Sequence, residues 1–276
     1  MLVSMKETMA IAKKEHYCIP GVAVENEILV RAAIAAAEEK NSPIILISTF
    51  KANSDICYFG RIVSDLAART HVPVSICQDH GATLEHAMWA IRAGYTDVIV
   101  DRSKLPYEDN VREVKEIVRL AHMVGVGVEA ELGHVGIAAN YEIDGNTGLT
   151  DPEEAVRFVE ETGVDTLAVA VGTAHGVYKG EPHIRFELLE ELNKKLSVPL
   201  VLHGGSGTGD DNLSRAAKCG ACKLNLSNDL KRAVIDATAP LENVYALWPT
   251  VFKAYKEIVM HYMDVCGSTN RLSGKE

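Results

Sequence analysis

Three histidines in this chain share a local pattern that suits metal chemistry. His80, His175 and His203 are each followed by glycine, and each comes at the end of a short β-rich apolar run. Neutral imidazole is a good ligand for zinc, and three protein ligands leave one position open for a substrate. The three lie far apart in the chain, so no spacing motif joins them. The alternative is that each histidine has its own hydrogen-bonding role; placement alike at three such ends favours one shared divalent metal. Asp79 sits beside His80, and Asp101, Arg102, Glu129, Glu131, Asn225 and Asn228 fall at comparable positions.

The stretch His203–Gly209 carries four glycines in seven residues. Glycines of this density expose backbone N–H groups that can cradle an anion, although a tight turn would read the same way. Cys219 and Cys222 form a C-x-x-C pair, but no second pair accompanies them. Their place between a helix end and a strand suits core packing rather than redox or zinc chemistry. His16, His71, His86, His122, His134, His183 and His261 read as surface or packing residues. Only His134, following the acids at Glu129 and Glu131, stays open for a role.

Groups so scattered must be gathered by a scaffold. Short apolar runs at Tyr17–Ala23, Ile44–Ser48, Val72–Cys77, Asp97–Val100, Gly125–Glu131, Thr166–Val171, Leu200–Leu202 and Cys222–Leu226 lack polar alternation. That is the pattern of strands buried on both faces of a parallel sheet. Amphipathic stretches alternate with them, including Asn26–Lys40 and Asp109–Val124. A further helix opens at Asp151-Pro152, with a capping carboxylate and proline in its first turn. Eight such units suggest an α/β chain closed into a (β/α)8 TIM barrel, and no G-x-G-x-x-G follows the first run as a dinucleotide-binding sheet would require. The expected organisation is one domain over residues 1–276, with an extra C-terminal helix at Trp248–Val265 that covers the barrel or meets another subunit. In such a barrel, chemistry belongs at the C-terminal strand ends, where Asp79, the three histidines and the other polar candidates fall.

Bulk properties narrow the partners. The 276 residues carry 28 Lys and Arg against 38 Asp and Glu, a net charge of −10. A surface this acidic argues against nucleic acid and anionic membranes. The apolar runs are too short to span a bilayer, and the N-terminus lacks the basic and apolar regions of a secretory signal, so a cytoplasmic location is expected.

Several ordered motifs resemble the class II ketose-bisphosphate aldolases, the family of the fructose- and tagatose-bisphosphate enzymes. They are Asp79-His80-Gly81, Val128-Glu129-Ala130-Glu131-Leu132-Gly133, Thr150-Asp151-Pro152-Glu153-Glu154-Ala155, Gly172-Thr173-Ala174-His175-Gly176 and Leu202-His203-Gly204-Gly205-Ser206-Gly207. The resemblance runs from about the first strand to Asp229. It implies zinc, one per subunit, on His80, His175 and His203. It implies a catalytic Asp79 for the hydroxyl proton of the cleaved bond, and an Asn225 that contacts the enediolate. Gly176, Gly204, Gly205 and Ser206 would form the phosphate loop, where the family also binds a monovalent cation, sodium or potassium. Asp101 and Glu131 match acids near the metal that orient its ligands or help hold an alternative metal position. A sugar phosphate or sugar acid as substrate and a homodimer or homotetramer are the corresponding expectations.

Departures from the family pattern cluster around the substrate. Ala23 replaces an asparagine, Cys77 a histidine and Arg102 a glycine, while Asn228 replaces a serine or threonine of the phosphate loop. Ala139 stands where the loop glutamate of proton transfer is expected, with Glu142 and Asp144 as nearby substitutes. The metal core is whole and its surroundings are altered, which points to a non-standard sugar phosphate or one carrying a carboxylate near Arg102. A metal-dependent sugar epimerase or isomerase, or a non-catalytic accessory protein, stands as the alternative.

Overall fold

The computed structural model describes residues 1–81, 83–137, 148–176, 178 and 182–272. Eight parallel strands form its centre. They are β1 (Ile19–Ala23), β2 (Ile44–Ser48), β3 (Val74–Gly81), β4 (Asp97–Val100), β5 (Gly127–Leu132), β7 (Thr166–Val169), β9 (Leu200–Leu202) and β10 (Ala221–Leu226). Two short strands outside this set are β6 (Gly136–Ile137) and β8 (Ala174–His175). The eight close into a barrel in the order β1-β10-β9-β7-β5-β4-β3-β2. The expected strands at Ile44–Ser48, Asp97–Val100 and Leu200–Leu202 coincide with β2, β4 and β9; the others differ by a few residues at their ends.

Helix α1 (Met5–Glu15) precedes the barrel, and α2 (Glu27–Lys40), α3 (Ile56–Arg69), α4 (Leu84–Ala93) and α5 (Tyr107–His122) separate its first five strands. The later connections carry α6 (Pro152–Thr162), α7 (Phe186–Lys195) and α8 (Asp210–Lys218), and α9 (Asn228–Thr238) follows the last strand. The Asn26 side chain caps α2, and Asp151 caps α6 by accepting from the Glu154 N–H.

Two features added to the barrel bear on its chemistry. Strands β6 and β8 form their own parallel ladder, pairing Ile137 with His175. Helix α1, which no reading of periodicity revealed, reaches the barrel interior. Its Met5, Met9 and Ala12 pack with Ile19, Ile45, Cys77, Ile99 and Val201 in one buried cluster. The inward residues thus meet an apolar plug at one end of the barrel and the polar groups at the other.

The extra C-terminal helix is α10 (Leu247–Cys266). It lies against α2 and α9, and its buried Tyr255 donates to the Ala23 carbonyl at 2.6 Å. Among the described residues no helix is long and apolar enough to cross a membrane.

Candidate active site

Strand β3 delivers the first two groups through an irregularity in its own backbone. Its register with β4 shifts between Gln78 and Gly81, and His80 adopts a left-handed φ of 49°. Non-glycine residues in that region cost of order 1–3 kcal/mol and persist where surrounding structure holds them. The kink places Asp79 and His80 together at the mouth. His175 arrives on β8, and His203 follows β9 directly.

The three imidazoles converge. Ring centroids lie 4.8 Å apart for His80 and His175, 5.1 Å for His80 and His203, and 5.6 Å for His175 and His203. One potential ligand atom from each histidine and one from Glu131 lie within 4.8 Å of one another. Two buried atoms there, His203 Nδ1 and Glu131 Oε2, have no hydrogen-bond partner. Buried polar atoms are rarely left unpaired. An imidazole and carboxylate donor set with orphaned atoms fits a divalent cation of zinc type.

Electrostatics differ sharply among the three rings. Burial together with the neighbouring His203 and His80 pushes the pKa of His175 down to about 4, leaving it neutral. Burial works against protonation of His203, but its contacts with Glu129 and Glu131 outweigh it and raise the pKa to about 10. For His80, too, burial is overcome, here by Asp79 and Asp101, and the pKa rises. Glu131 is held low despite its burial by His134 and His203.

Carboxylates back two of the rings. His80 Nδ1 lies 3.4 Å from Asp101 Oδ2, and His203 Nε2 lies 2.9 Å from Glu129 Oε1. Such partners fix ring orientation in metal sites. Ser103 ties the acids together, approaching Asp101 Oδ1 at 2.8 Å, Glu131 Oε1 at 3.0 Å and His134 Nδ1 at 3.1 Å. Asn225 Nδ2 lies 3.4 Å from Asp79 Oδ1.

A cavity of about 340 Å³ opens beside the cluster, lined in part by Asp79, His80, His175, Gly176, Gly204, Ser206, Asn225 and Asn228. Asp79, Asn225 and three of the four expected phosphate-loop residues, all but Gly205, thus share one space with two of the histidines. Gly204 has a φ of +70°, and a Cβ there would meet the Ala174 carbonyl oxygen at 2.4 Å. Ser206 Oγ accepts from the Ser227 and Asp229 N–H groups at the start of α9.

Two expected residues are placed differently. Gly205 packs against Leu224, and its N–H donates to the Asn225 carbonyl, so that donor is not open to an anion. Arg102 is buried, with Nε on Glu113 at 2.5 Å and Nη1 on the Gly81 and Asp101 carbonyls. Its guanidinium binds the end of β4 to α5 and to the His80 loop, which leaves it poorly placed to grip a substrate carboxylate. It nevertheless borders a second cavity of about 890 Å³ with Lys51, Lys104, His134, His80 and His175. Ala139, Glu142 and Asp144 lie outside the described residues.

Sequence reasoning assigned no role to Glu129, Lys223 or Ser103. A signal for the first two was present. In a strand, residues two apart share a face, so Glu129 faces inward with Glu131 and Lys223 with Asn225. His134, the one histidine outside the triad with a possible role, faces the larger cavity, and its contact with Glu131 raises its pKa. Cys219 and Cys222 are buried free thiols.

Comparison with known proteins agrees with this geometry. Residues 3–271 match the family model "Fructose-bisphosphate aldolase class-II". The chain is 37% identical over 283 residues to the probable fructose-bisphosphate aldolase of Bacillus subtilis (strain 168), covering 98% of this chain and 99% of that one. It is 36% identical over 283 residues to the fructose-bisphosphate aldolase of Staphylococcus aureus (strain Mu50 / ATCC 700699), with the same coverage. The crystal structure of the YdjI aldolase from Escherichia coli K12 superposes with a TM-score of 0.90 at 34% identity, over 99% of this chain and 100% of that one. A putative fructose-1,6-biphosphate aldolase from Coccidioides immitis gives a TM-score of 0.89 at 26% identity, over 97% of each chain.

Proposed function

Since this chain belongs to the class II fructose-bisphosphate aldolase family and is a metal-dependent aldolase, we propose that it cleaves and forms one carbon–carbon bond of a ketose phosphate, using zinc held by His80, His175 and His203. The observation that carries the reading is the convergence of these imidazoles with Glu131 beside the paired Asp79 and Asn225. Zinc, when bound, supplies Lewis acidity toward the oxygen of the substrate carbonyl.

The protein groups supply the rest. Asp79 takes the proton of the hydroxyl on the carbon whose bond breaks, and returns it in the condensation direction. Asn225 donates its amide toward Asp79 in the free enzyme and turns that donor to the substrate oxygen once substrate enters. Gly176, Gly204, Ser206 and Asn228 hold the phosphate end beside the start of α9, where helix N–H groups favour an anion; a sodium or potassium ion at this loop would help balance the phosphate charge. Asp101 and Glu131 orient the ligands around the metal.

Asn228, which stands on the cavity wall where the family has a serine or threonine, supports a sugar phosphate other than fructose 1,6-bisphosphate as substrate. The family match does not favour an epimerase, an isomerase or a non-catalytic accessory role. The exposed Val244, Tyr245 and Trp248 support a homodimer or homotetramer, and a cytoplasmic location follows from a phosphorylated metabolite as substrate. Incubation of the zinc-loaded protein with a panel of ketose phosphates, read by NMR, tests the whole reading. Two fragments from one ketose phosphate are expected; a single isomerised product, or equal rates with and without zinc, would refute it. Full activity on fructose 1,6-bisphosphate would remove the altered-substrate element alone.

A further inference from the structure

Below the imidazoles, the barrel interior holds an ion pair. Lys223 on β10 and Glu129 on β5 are both 0% exposed, and Lys223 Nζ lies 2.7 Å from Glu129 Oε2. Withdrawing two charges from water costs several kcal/mol per ion, and their attraction offsets this only with good geometry. Stability alone is therefore a weak reason for the pair. The neighbouring strand makes room for it: a Cβ on Gly21 would meet Lys223 Cε at 3.2 Å and Asn225 Oδ1 at 2.9 Å.

The second oxygen of Glu129 points to a reason. Oε1 lies 2.9 Å from His203 Nε2, in a position where both groups are fully buried. An ionised carboxylate only accepts, so this contact places a ring proton on Nε2. The other nitrogen, Nδ1, makes no hydrogen bond and lies 3.2 Å from Glu131 Oε2. The ring thus turns its remaining nitrogen toward the acid that joins the histidine cluster.

We propose that Lys223 is a positioning residue of the metal centre: by holding Oε2 of Glu129, it orients Oε1 to keep the His203 proton on Nε2 and leaves Nδ1 as the ligand atom. The strand geometry makes this a two-layer device. Asn225 and Glu131 occupy the mouth, and Lys223 and Glu129, two residues earlier on the same strands, lie one layer beneath. Loss of the ammonium leaves Oε2 without its donor at a fully buried position, and an unpaired buried acceptor forces the carboxylate to turn or to draw in water. Either response loosens the hold on His203.

This inference rests on His203 being a metal ligand, and the test separates the two. Metal-free wild type, Lys223→Met, Glu129→Gln and the double variant are titrated with cobalt, followed by its visible absorption. Each single variant is expected to weaken binding by about ten- to a hundredfold, the range seen when partners of ligating histidines are removed. The double variant is expected to bind no more weakly than the worse single one, because both changes break one relay. A folded Lys223→Met protein that binds cobalt within about twofold of wild type, or losses that simply add, would overturn the proposal. Should Lys223→Met not fold, nitrogen-15 spectra of histidine in the zinc-loaded wild type decide. His203 is expected to keep a proton on Nε2 and to coordinate through Nδ1; coordination through Nε2 overturns the relay. Failure of wild type to bind cobalt or zinc refutes the metal reading itself, a different outcome.

Discussion

Asn225 and Asp79, separated by 146 positions in the chain, meet at the barrel mouth with Nδ2 3.4 Å from Oδ1. The contact joins the end of β10 to the kinked end of β3 and aims an amide donor at a carboxylate beside His80. If Asp79 moves the hydroxyl proton, Asp79→Asn should lower kcat by about 10²–10⁴-fold, the usual contribution of a positioned acid or base. Zinc content should remain one per chain, because Asp79 is not among the converging ligand atoms. Stopped assays with metal analysis on the same samples check both halves.

Replacing one imidazole should act on the metal first. His175→Ala removes the proposed ligand on β8 without touching the barrel ladder. Zinc should be lost during dialysis against a mild chelator that leaves wild type loaded, while far-ultraviolet circular dichroism stays unchanged. Retention of stoichiometric zinc with full activity would contradict the ligand assignment.

Gly204→Ala probes the seam between the glycine loop and β8. Its φ of +70° is unfavourable for alanine, and the new Cβ would meet the Ala174 carbonyl carbon at 2.6 Å. Destabilisation of about 1–3 kcal/mol from the backbone alone is expected. Because the collision is one residue from His175, KM for the phosphate substrate should rise as well. Thermal unfolding and steady-state kinetics measure the two effects separately.

Asp97 carries a pH prediction at the opposite end of the barrel. Burial raises its pKa from 3.8 to about 6, although the Met5 N–H and the Ser4 hydroxyl support the charged form. The folded state therefore binds more protons than the unfolded state between these values, so stability from this group is full below about pH 4 and is lost as pH rises through about 6. Asp97→Asn should abolish that dependence. Relative to wild type, the variant should gain up to about 3 kcal/mol between pH 4 and pH 7. Urea unfolding across that range provides the measurement, and a difference independent of pH would contradict the sign.

Much of the barrel was readable because strands buried on both faces are short, uninterrupted apolar runs. Ile44–Ser48 and Leu200–Leu202 have no polar residue to blur their limits before the ends. Helix α1 is hard to read from sequence because, rich in Lys and Glu, it contributes only a narrow apolar edge through Met5, Met9 and Ala12. At the mouth, the glycine that follows each histidine marked a strand end, which is why His80, His175 and His203 could be picked out before their convergence was visible. Gly205 and Arg102 show the limit. The type of a residue does not reveal whether its donors are already committed to neighbours such as the Asn225 carbonyl or Glu113. The pairing of Glu129 with Lys223 is hidden for a related reason: a contact across the barrel depends on how distant strands are placed, which periodicity within one strand does not specify.

The short β6–β8 ladder separates two kinds of failure. His175 hangs from a connection of two residue pairs that the eight barrel strands do not share. Damage to the barrel would melt His175 and scaffold together, whereas a change at Gly136 or Ile137 would shift that one imidazole while the protein stayed folded. Variation in this small region can therefore alter reactivity at low structural risk, and screens that score only melting temperature would pass over it.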